Sequence, residues 1–245
     1  MRQVYACWFP SPDRHLGADR EWRRLSDVLL LSLVEHCQGW FVRVESIPAR
    51  PWSSTRSASH HANTEKLDTW NRVVQAADNG TELLLLDVDT FALRSLDALW
   101  DRAFDVAYTV RAGQRYPFNA GVIALRVNDR SRAFMARWAA ENTRMYVDRH
   151  YHRAYHRAYG GINQASLGAL LEAEDRAPTV LRTMLPCQEW NCEDTSWADF
   201  NDETRIVHLK SNLRMVLFHR SVSPALQPIV RKWKAIEALI PGSAQ

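Results

Sequence analysis

Two acids close an apolar run in Leu83-Leu84-Leu85-Leu86-Asp87-Val88-Asp89-Thr90. Four leucines in a row read as a short strand buried on both faces, as in the interior of a mostly parallel sheet. Ligands bind such sheets beyond the carboxyl ends of the strands, and the acids fall at that end. Side chains alternate along a strand, so Asp87 and Asp89 are expected on one side, with Val88 turned to the core. Two neighbouring carboxylates repel each other unless something positive lies between them. A hard divalent cation that also grips a diphosphate would satisfy both. On this reading, neutralising one acid in the ion-free protein should relieve repulsion.

A second segment, Phe118-Asn119-Ala120-Gly121-Val122-Ile123-Ala124-Leu125, could touch a ligand. Gly121 permits close backbone approach, and Asn119 offers a donor and an acceptor to a hydroxyl. A turn leading into an edge strand would also account for it. Gly160-Gly161-Ile162-Asn163-Gln164 precedes a helical pattern, where Asn163 could simply cap the helix. Arg205-Ile206-Val207-His208-Leu209-Lys210 reads as an apolar strand ending in His and Lys, with both side chains on one face.

The elements that must position these residues alternate in type. Gln3 to Phe9 and Trp40 to Glu45 read as strands. Trp22, Leu25, Leu29 and Leu33 mark a helix that Gly39 ends, and Leu67, Trp70, Val73, Val74 and Ala77 mark a helix stopped by Asn79-Gly80. This βαβαβ order argues for a parallel nucleotide-binding sheet. Pro48 to Ala62 lacks periodicity and is expected to be a loop. Later strand candidates are Val106 to Val110, Gly121 to Val127, Val180 to Leu185 and Arg205 to Leu209. Phe134 and Trp138 mark a further helix, and Leu226 to Ile236 a C-terminal packing helix.

At 245 residues, 46% apolar and 24% charged, the chain suits one large α/β domain. A net charge of +3 is too small to imply nucleic acid but suits an anionic small molecule. Neither a signal peptide nor a transmembrane run is visible, so a cytoplasmic location is expected. Cys187 and Cys192 lack a second ligand pair at metal spacing and are expected to be free thiols. The His60-His61 and His150/His152/His156 clusters read as surface residues rather than a second metal site.

Asp-x-Asp followed about thirty residues later by Asn-Ala-Gly at an apolar strand resembles nucleotide-sugar glycosyltransferases of the GT-A fold, particularly the retaining, glycogenin-like group. The likeness runs roughly from Val4 to Arg214. It implies an α/β/α sandwich, 1–245 as a single domain, with a nucleotide-binding half (1–110) and a donor-sugar and acceptor half (111–245). It also implies a Mn2+ or Mg2+ ion, a nucleotide-sugar donor that is UDP-linked by preference, and a glycan, protein or small-molecule acceptor. Within it Asp89 would ligate the ion, His208 would complete its shell, and Asp87 would bind ribose or an ion-bound water. Lys210 would hold the diphosphate, Lys66 would lie near the nucleotide, and Phe9 or Trp8 would stack on the base.

The same resemblance places Asn119, Ala120 and Gly121 in the donor-sugar pocket and Asn163-Gln164 near the anomeric carbon. Gln164 matches the family's Asp-Gln pair, whereas Asn163 replaces the acid. The Gly and second Lys that the family carries after its late His are replaced here by Ser211, Asn212 and Arg214. Leu185 to Asn191 resembles a stretch near the active-site mouth, where Glu189, Glu193 and Asp194 are the available acids. Two alternatives stand beside this reading. One is a phosphatase of the haloacid dehalogenase type with Asp87 as nucleophile, which needs a second acidic pair. The other is a catalytically silent nucleotide-sugar binding module.

Overall fold

The computed structural model describes residues 1–10, 16–48, 57–111, 116–194, 196–210, 212–218 and 224–241. Strand and helix alternate first: β1 (Arg2–Trp8), α1 (Leu16–His36), β2 (Phe41–Ser46), α2 (Ala58–Ala76) and β3 (Glu82–Asp87). Then come β4 (Thr90–Ala92), β5 (Val106–Val110), β6 (Phe118–Arg126) and the helices α3 (Asp129–Val147), α4 (Arg149–Tyr159) and α5 (Ile162–Arg176). The chain continues through β7 (Arg182–Pro186), α6 (Cys187–Trp190), β8 (Ile206–His208), α7 (Asn212–Phe218) and α8 (Gln227–Glu237).

Six strands form one sheet in the order β2-β1-β3-β6-β5-β7, and β4 pairs with β8 in a second, two-stranded sheet. In the large sheet β6 runs antiparallel to both its neighbours, β3 and β5, while the other pairings are parallel. The four leucines show why β3 lies at the centre. Leu83 and Leu85 pack toward Trp70 of α2 and Trp138 of α3. Leu84 and Leu86 pack on the opposite face against Leu29 and Leu33 of α1. Both faces of the sheet are therefore covered by helices, which gives an α/β/α sandwich. A third apolar cluster joins Leu25 and Val28 of α1 to Val207 of β8 and to Ile229 and Trp233 of α8.

Several local expectations are corrected. Helix α2 begins at Ala58, inside the stretch Pro48 to Ala62 expected as loop, because the Ser57 hydroxyl caps it by accepting from the His60 amide at 3.2 Å. Residues 49–56 of that stretch lie outside the described residues. His61 and His152 are buried, not surface residues. The His60 and His152 rings meet edge to face at 5.1 Å, and His61 Nδ1 lies 3.3 Å from the Tyr146 hydroxyl. These histidines join α2 to α3 and α4. All four cysteines are buried free thiols. Among the described residues no helix is long and apolar enough to cross a membrane.

Leu85 has no solvent exposure at the centre of the sheet. Leu85→Ala should cost about 2–5 kcal/mol, read as a lower urea midpoint with an unchanged slope. A smaller loss would mean that the layers on either side close over the cavity.

Candidate active site

Strand β3 delivers Asp87 at its last residue, and the chain then turns through Val88 and Asp89 into β4. The Thr90 hydroxyl holds this turn by donating to the Asp87 carbonyl at 2.7 Å. Asp89 is thus carried on a turn rather than on the strand expected for it, yet it still faces the same space as Asp87. Strand β8 brings in the third group. It pairs antiparallel with β4, with Thr90 opposite His208, and the Leu209 amide donates to the Asp89 carbonyl at 2.7 Å. Asp87, Asp89 and His208 each offer one ligand atom, all within 4.8 Å of one another. His208 Nε2 lies 3.2 Å from Asp89 Oδ1 and 3.7 Å from Asp87 Oδ2.

Gly121 makes this approach possible. A Cβ there would lie 2.6 Å from His208 Cε1, 2.8 Å from its Nδ1 and 2.9 Å from Asp87 Oδ2. Just before it, the β5–β6 register jumps: Tyr108 faces Ile123, but Thr109 faces Asn119. Residues 120–122 therefore bulge from the ladder, a common way of re-aiming backbone beside a site.

The acids do not stand unbalanced. Lys66 reaches Asp87 Oδ1 from the middle of α2, and its ammonium lies 4.7 Å from the Trp70 ring centre. The lysine is buried. Arg214 Nη1 lies 3.2 Å from Asp89 Oδ2, and its guanidinium sits 4.9 Å from the Trp22 ring centre. Burial alone would raise the Asp89 pKa, but the His208 imidazole and its hydrogen bond, then Arg214 and Lys66, hold it at about 2. The expected relief of repulsion on losing one acid is overturned, because cationic partners already surround the pair. The outer oxygens meet Lys66 and Arg214. Asp87 Oδ2 and Asp89 Oδ1 are left facing His208, a donor set of two carboxylates and an imidazole that suits a divalent cation.

Above the acids lies a cleft of about 440 Å³. Phe9, Lys66, Asp87, Asp89, Asn119, Ala120, Gly121, Asn163, Gln164, His208 and Lys210 all line it, so the structure brings these candidates together, whereas Glu189, Glu193 and Asp194 do not line it. Asn119 Oδ1 accepts from the Gly121 amide at 2.8 Å, which leaves its buried Nδ2 without a partner among the described residues. Asn163 does not cap α5, whose cap position is Gly161. Its Nδ2 instead donates to Asn63 Oδ1 at 3.3 Å, and its buried Oδ1 has no partner among the described residues. Gln164 Nε2 donates to the carbonyls of Phe118 and Tyr159 at 3.1 and 2.9 Å, tying α5 to β6.

Lys210 reaches the cleft by a different route from the one expected. Strand β8 ends at His208, and the Lys210 amide folds back to the His208 carbonyl at 2.8 Å, so the two do not share a strand face. Lys210 Nζ lies 4.0 Å from Glu193 Oε2. Glu193 is fully buried against Arg111 at 2.7 Å, and Glu189 pairs with Arg205 at 2.9 Å, so neither stands open at the mouth. Asn191 is also fully buried, behind His208 rather than at the mouth. Asp194 is exposed; its partial desolvation is outweighed by a hydrogen bond shared with Glu193, then by Lys210 and Arg111, which keep it below the usual carboxylate range.

Trp22, Ser59, Asn63 and Arg214 also line the cleft. Ser59, Asn63 and Lys66 follow helical spacing along α2, a polar face hidden by reading its first turn as loop. The phosphatase alternative requires a second acidic pair. Among the described residues only His208 joins Asp87 and Asp89 in a group of potential metal ligands.

No protein-family profile matches the chain, and no curated protein matches it in sequence. Solved structures do match. The galactosyltransferase LgtC, in complex with donor and acceptor sugar analogs, aligns at TM-score 0.59 and 13% identity over 98% of this chain and 96% of LgtC. The fold is that of GT-A glycosyltransferases. A glycosyltransferase involved in glycosylation of the major capsid of PBCV-1 aligns at TM-score 0.57 and 12% identity, over 86% of this chain and 95% of that one. GlyE of Streptococcus pneumoniae TIGR4 aligns at TM-score 0.57 and 15% identity, over 97% of this chain and 63% of GlyE. In this GT-A framework the acids and His208 come from strand ends or the turns beside them, and Gly121 from within β6.

The drop in the Asp89 pKa from 3.8 to about 2 corresponds to about 2 kcal/mol of folding stability. Because the folded pKa is depressed, that contribution is complete above about pH 4 and is lost as the pH falls toward about 2. Metal-free Asp89→Asn should therefore be about 2 kcal/mol less stable than the wild type at pH 7, with the gap closing in acid. Urea unfolding across this range checks it, and a variant equal to or more stable than the wild type at pH 7 would refute the assigned balance.

Proposed function

We propose that the chain is a metal-dependent glycosyltransferase that moves a sugar from a nucleoside-diphosphate sugar, UDP-linked by preference, to an acceptor hydroxyl. One observation carries the reading: two carboxylates and an imidazole converge within 4.8 Å at the foot of the cleft, while Lys66 and Arg214 already balance the acids. Adding a divalent cation leaves that foot in positive excess, and Lys210 increases it. A diphosphate is the ligand whose charge restores the balance.

In this reading Asp89 and His208 hold Mn2+ or Mg2+, and Asp87 binds the ribose or an ion-bound water. When bound, the ion supplies Lewis-acid stabilisation of the departing diphosphate. Lys210 adds a positive contact to the same leaving group, worth most as its charge grows. Phe9, in the wall of the cleft, stacks on the base. Residues 1–110 thus serve mainly the nucleotide, and 111–245 the sugar and acceptor.

Asn119 and Asn163 suit the sugar for a specific reason. Each keeps a buried polar atom, a donor on Asn119 and an acceptor on Asn163, without a partner among the described residues, and a sugar hydroxyl can satisfy either. Gln164 has both amide protons engaged, which leaves its carbonyl oxygen for the electron-poor anomeric carbon. LgtC, too, has a glutamine in its active site. With Glu189 and Glu193 engaged elsewhere and Asp194 outside the lining of the cleft, a retaining course fits the site better than one that needs a carboxylate base.

The test is a thermal-shift panel of nucleoside diphosphates and nucleotide sugars, with and without Mn2+, followed by assay of UDP release. Ion and nucleotide together should stabilise the protein, by about 2.7 kcal/mol at a hundredfold excess over Kd. If no combination stabilises it, the reading is wrong. Stabilisation with no UDP release to any acceptor or to water would point to the silent binding module. His208→Ala should weaken Mn2+ affinity and Lys210→Ala should mainly lower kcat, with strongly non-additive effects in the double variant. Additive losses would separate Lys210 from the ion and its diphosphate.

A further inference from the structure

Behind His208, on the side away from the acids, lies a buried polar chain. His208 Nδ1 lies 3.0 Å from Asn191 Oδ1. Asn191 Nδ2 donates to Thr109 Oγ1 at 2.8 Å, and that hydroxyl donates to the Asn119 carbonyl at 2.9 Å. Asn191 and Thr109 have no solvent exposure, so water cannot substitute for a missing partner.

The direction of every bond in this chain follows from its far end. A carbonyl only accepts, so the single Thr109 proton goes to Asn119. Toward Asn191 the threonine oxygen can then only accept, and Asn191 must present its amide protons there. Its carbonyl oxygen is left for His208, whose Nδ1 must be the donor. This settles from chemistry an amide orientation that heavy-atom positions alone leave ambiguous.

The backbone fixes the distances. The Asn191 amide donates to the Cys187 carbonyl at 2.8 Å, the Cys192 amide to that of Ile206 at 2.9 Å, and the His208 amide to that of Cys192 at 2.8 Å. Cys192 is therefore laced to β8 on both sides of Val207, and Asn191, the residue before it, is tied back to α6. The bulge between Tyr108 and Thr109 sets the threonine opposite Asn119 at the other end.

We infer that Asn191, oriented by Thr109, is a positioning residue that keeps a proton on His208 Nδ1 and so presents Nε2 to Asp87 and Asp89. Its purpose rests on the cation reading above: an imidazole binds a metal through an unprotonated nitrogen, and the bond made by the other nitrogen decides which one that is. The same chain runs from the proposed ion ligand to Asn119 in the proposed sugar pocket, so one set of bonds orients both.

The experiment combines nitrogen-15 histidine NMR with Mn2+ titration followed by electron paramagnetic resonance. In the wild type, His208 should show a protected one-bond Nδ1–H correlation. Asn191→Leu keeps similar bulk without an acceptor and should lose that signal, with Mn2+ affinity falling about 10- to 100-fold. Asn191→Asp restores an acceptor and should recover most of both. Thr109→Val frees the Asn191 amide to turn and should fall between them. A bare Nδ1 in the wild type overturns the inference whether or not Mn2+ binds and whether or not a variant folds. Unchanged Mn2+ affinity in folded Asn191→Leu also overturns it. Failure of the wild type to bind Mn2+, with Nδ1–H present, counts against the cation reading alone.

Discussion

The site depends on a close approach that Gly121 alone permits. Three strands converge there: β3 with Asp87, β8 with His208, and β6, the neighbour of β3, with Gly121. Any side chain at position 121 would occupy the space of the imidazole and of an Asp87 oxygen. The small second sheet exists to the same end. Pairing of β4 with β8 sets Thr90 opposite His208, and it is this register that carries the imidazole to the two acids. A one-residue slip would turn His208 to the other face and Val207 toward the acids.

Around that contact, charge is arranged in two shells with different partners. The acids direct one oxygen each outward to Lys66 and Arg214 and one each inward to His208. Both outer cations also lie on tryptophan rings, which limits where their side chains can go and lessens their hydration. The buried Arg111–Glu193 pair repeats the principle one layer further out, since a carboxylate without solvent access needs a fixed cation. Lys210 lies between these layers, close to Glu193 yet in the wall of the cleft.

Much of this architecture was legible in the residue pattern. The leucine run announced a strand buried on both faces, and the alternation of its side chains between the two apolar clusters follows directly from period two. The residues proposed for the site from motif order all line one cleft. What the pattern hid were contacts between distant segments and elements whose polar faces serve the cleft. The first turn of α2 carries Ser59 and Asn63 toward the cavity, so it lacks apolar periodicity and reads as loop. Resemblance places Lys66 near the nucleotide, but its partner Asp87, 21 positions away, was not legible in the pattern. Asn191 reads only as the end of a stretch near the mouth, and its place behind His208 was not legible, for a buried amide is defined by what surrounds it. The acids were expected to be mutually repelling because nothing near them in sequence reveals Arg214.

The distance along the chain between these partners has a kinetic consequence. Arg214 and Asp89 are 125 positions apart, and the cation and imidazole that meet Asp89 both come from the segment around β8. During synthesis Asp89 therefore emerges long before either can reach it, while Lys66 is already available to Asp87. Ordering the β8 segment against Asp89 closes a loop of 125 positions, and the entropy of such closure is recovered only when the contacts form. The acid turn must wait, incompletely neutralised, for the last third of the protein. Folding thus completes the cleft as a late event, and a nascent chain can shelter its sheet before it holds any site at all.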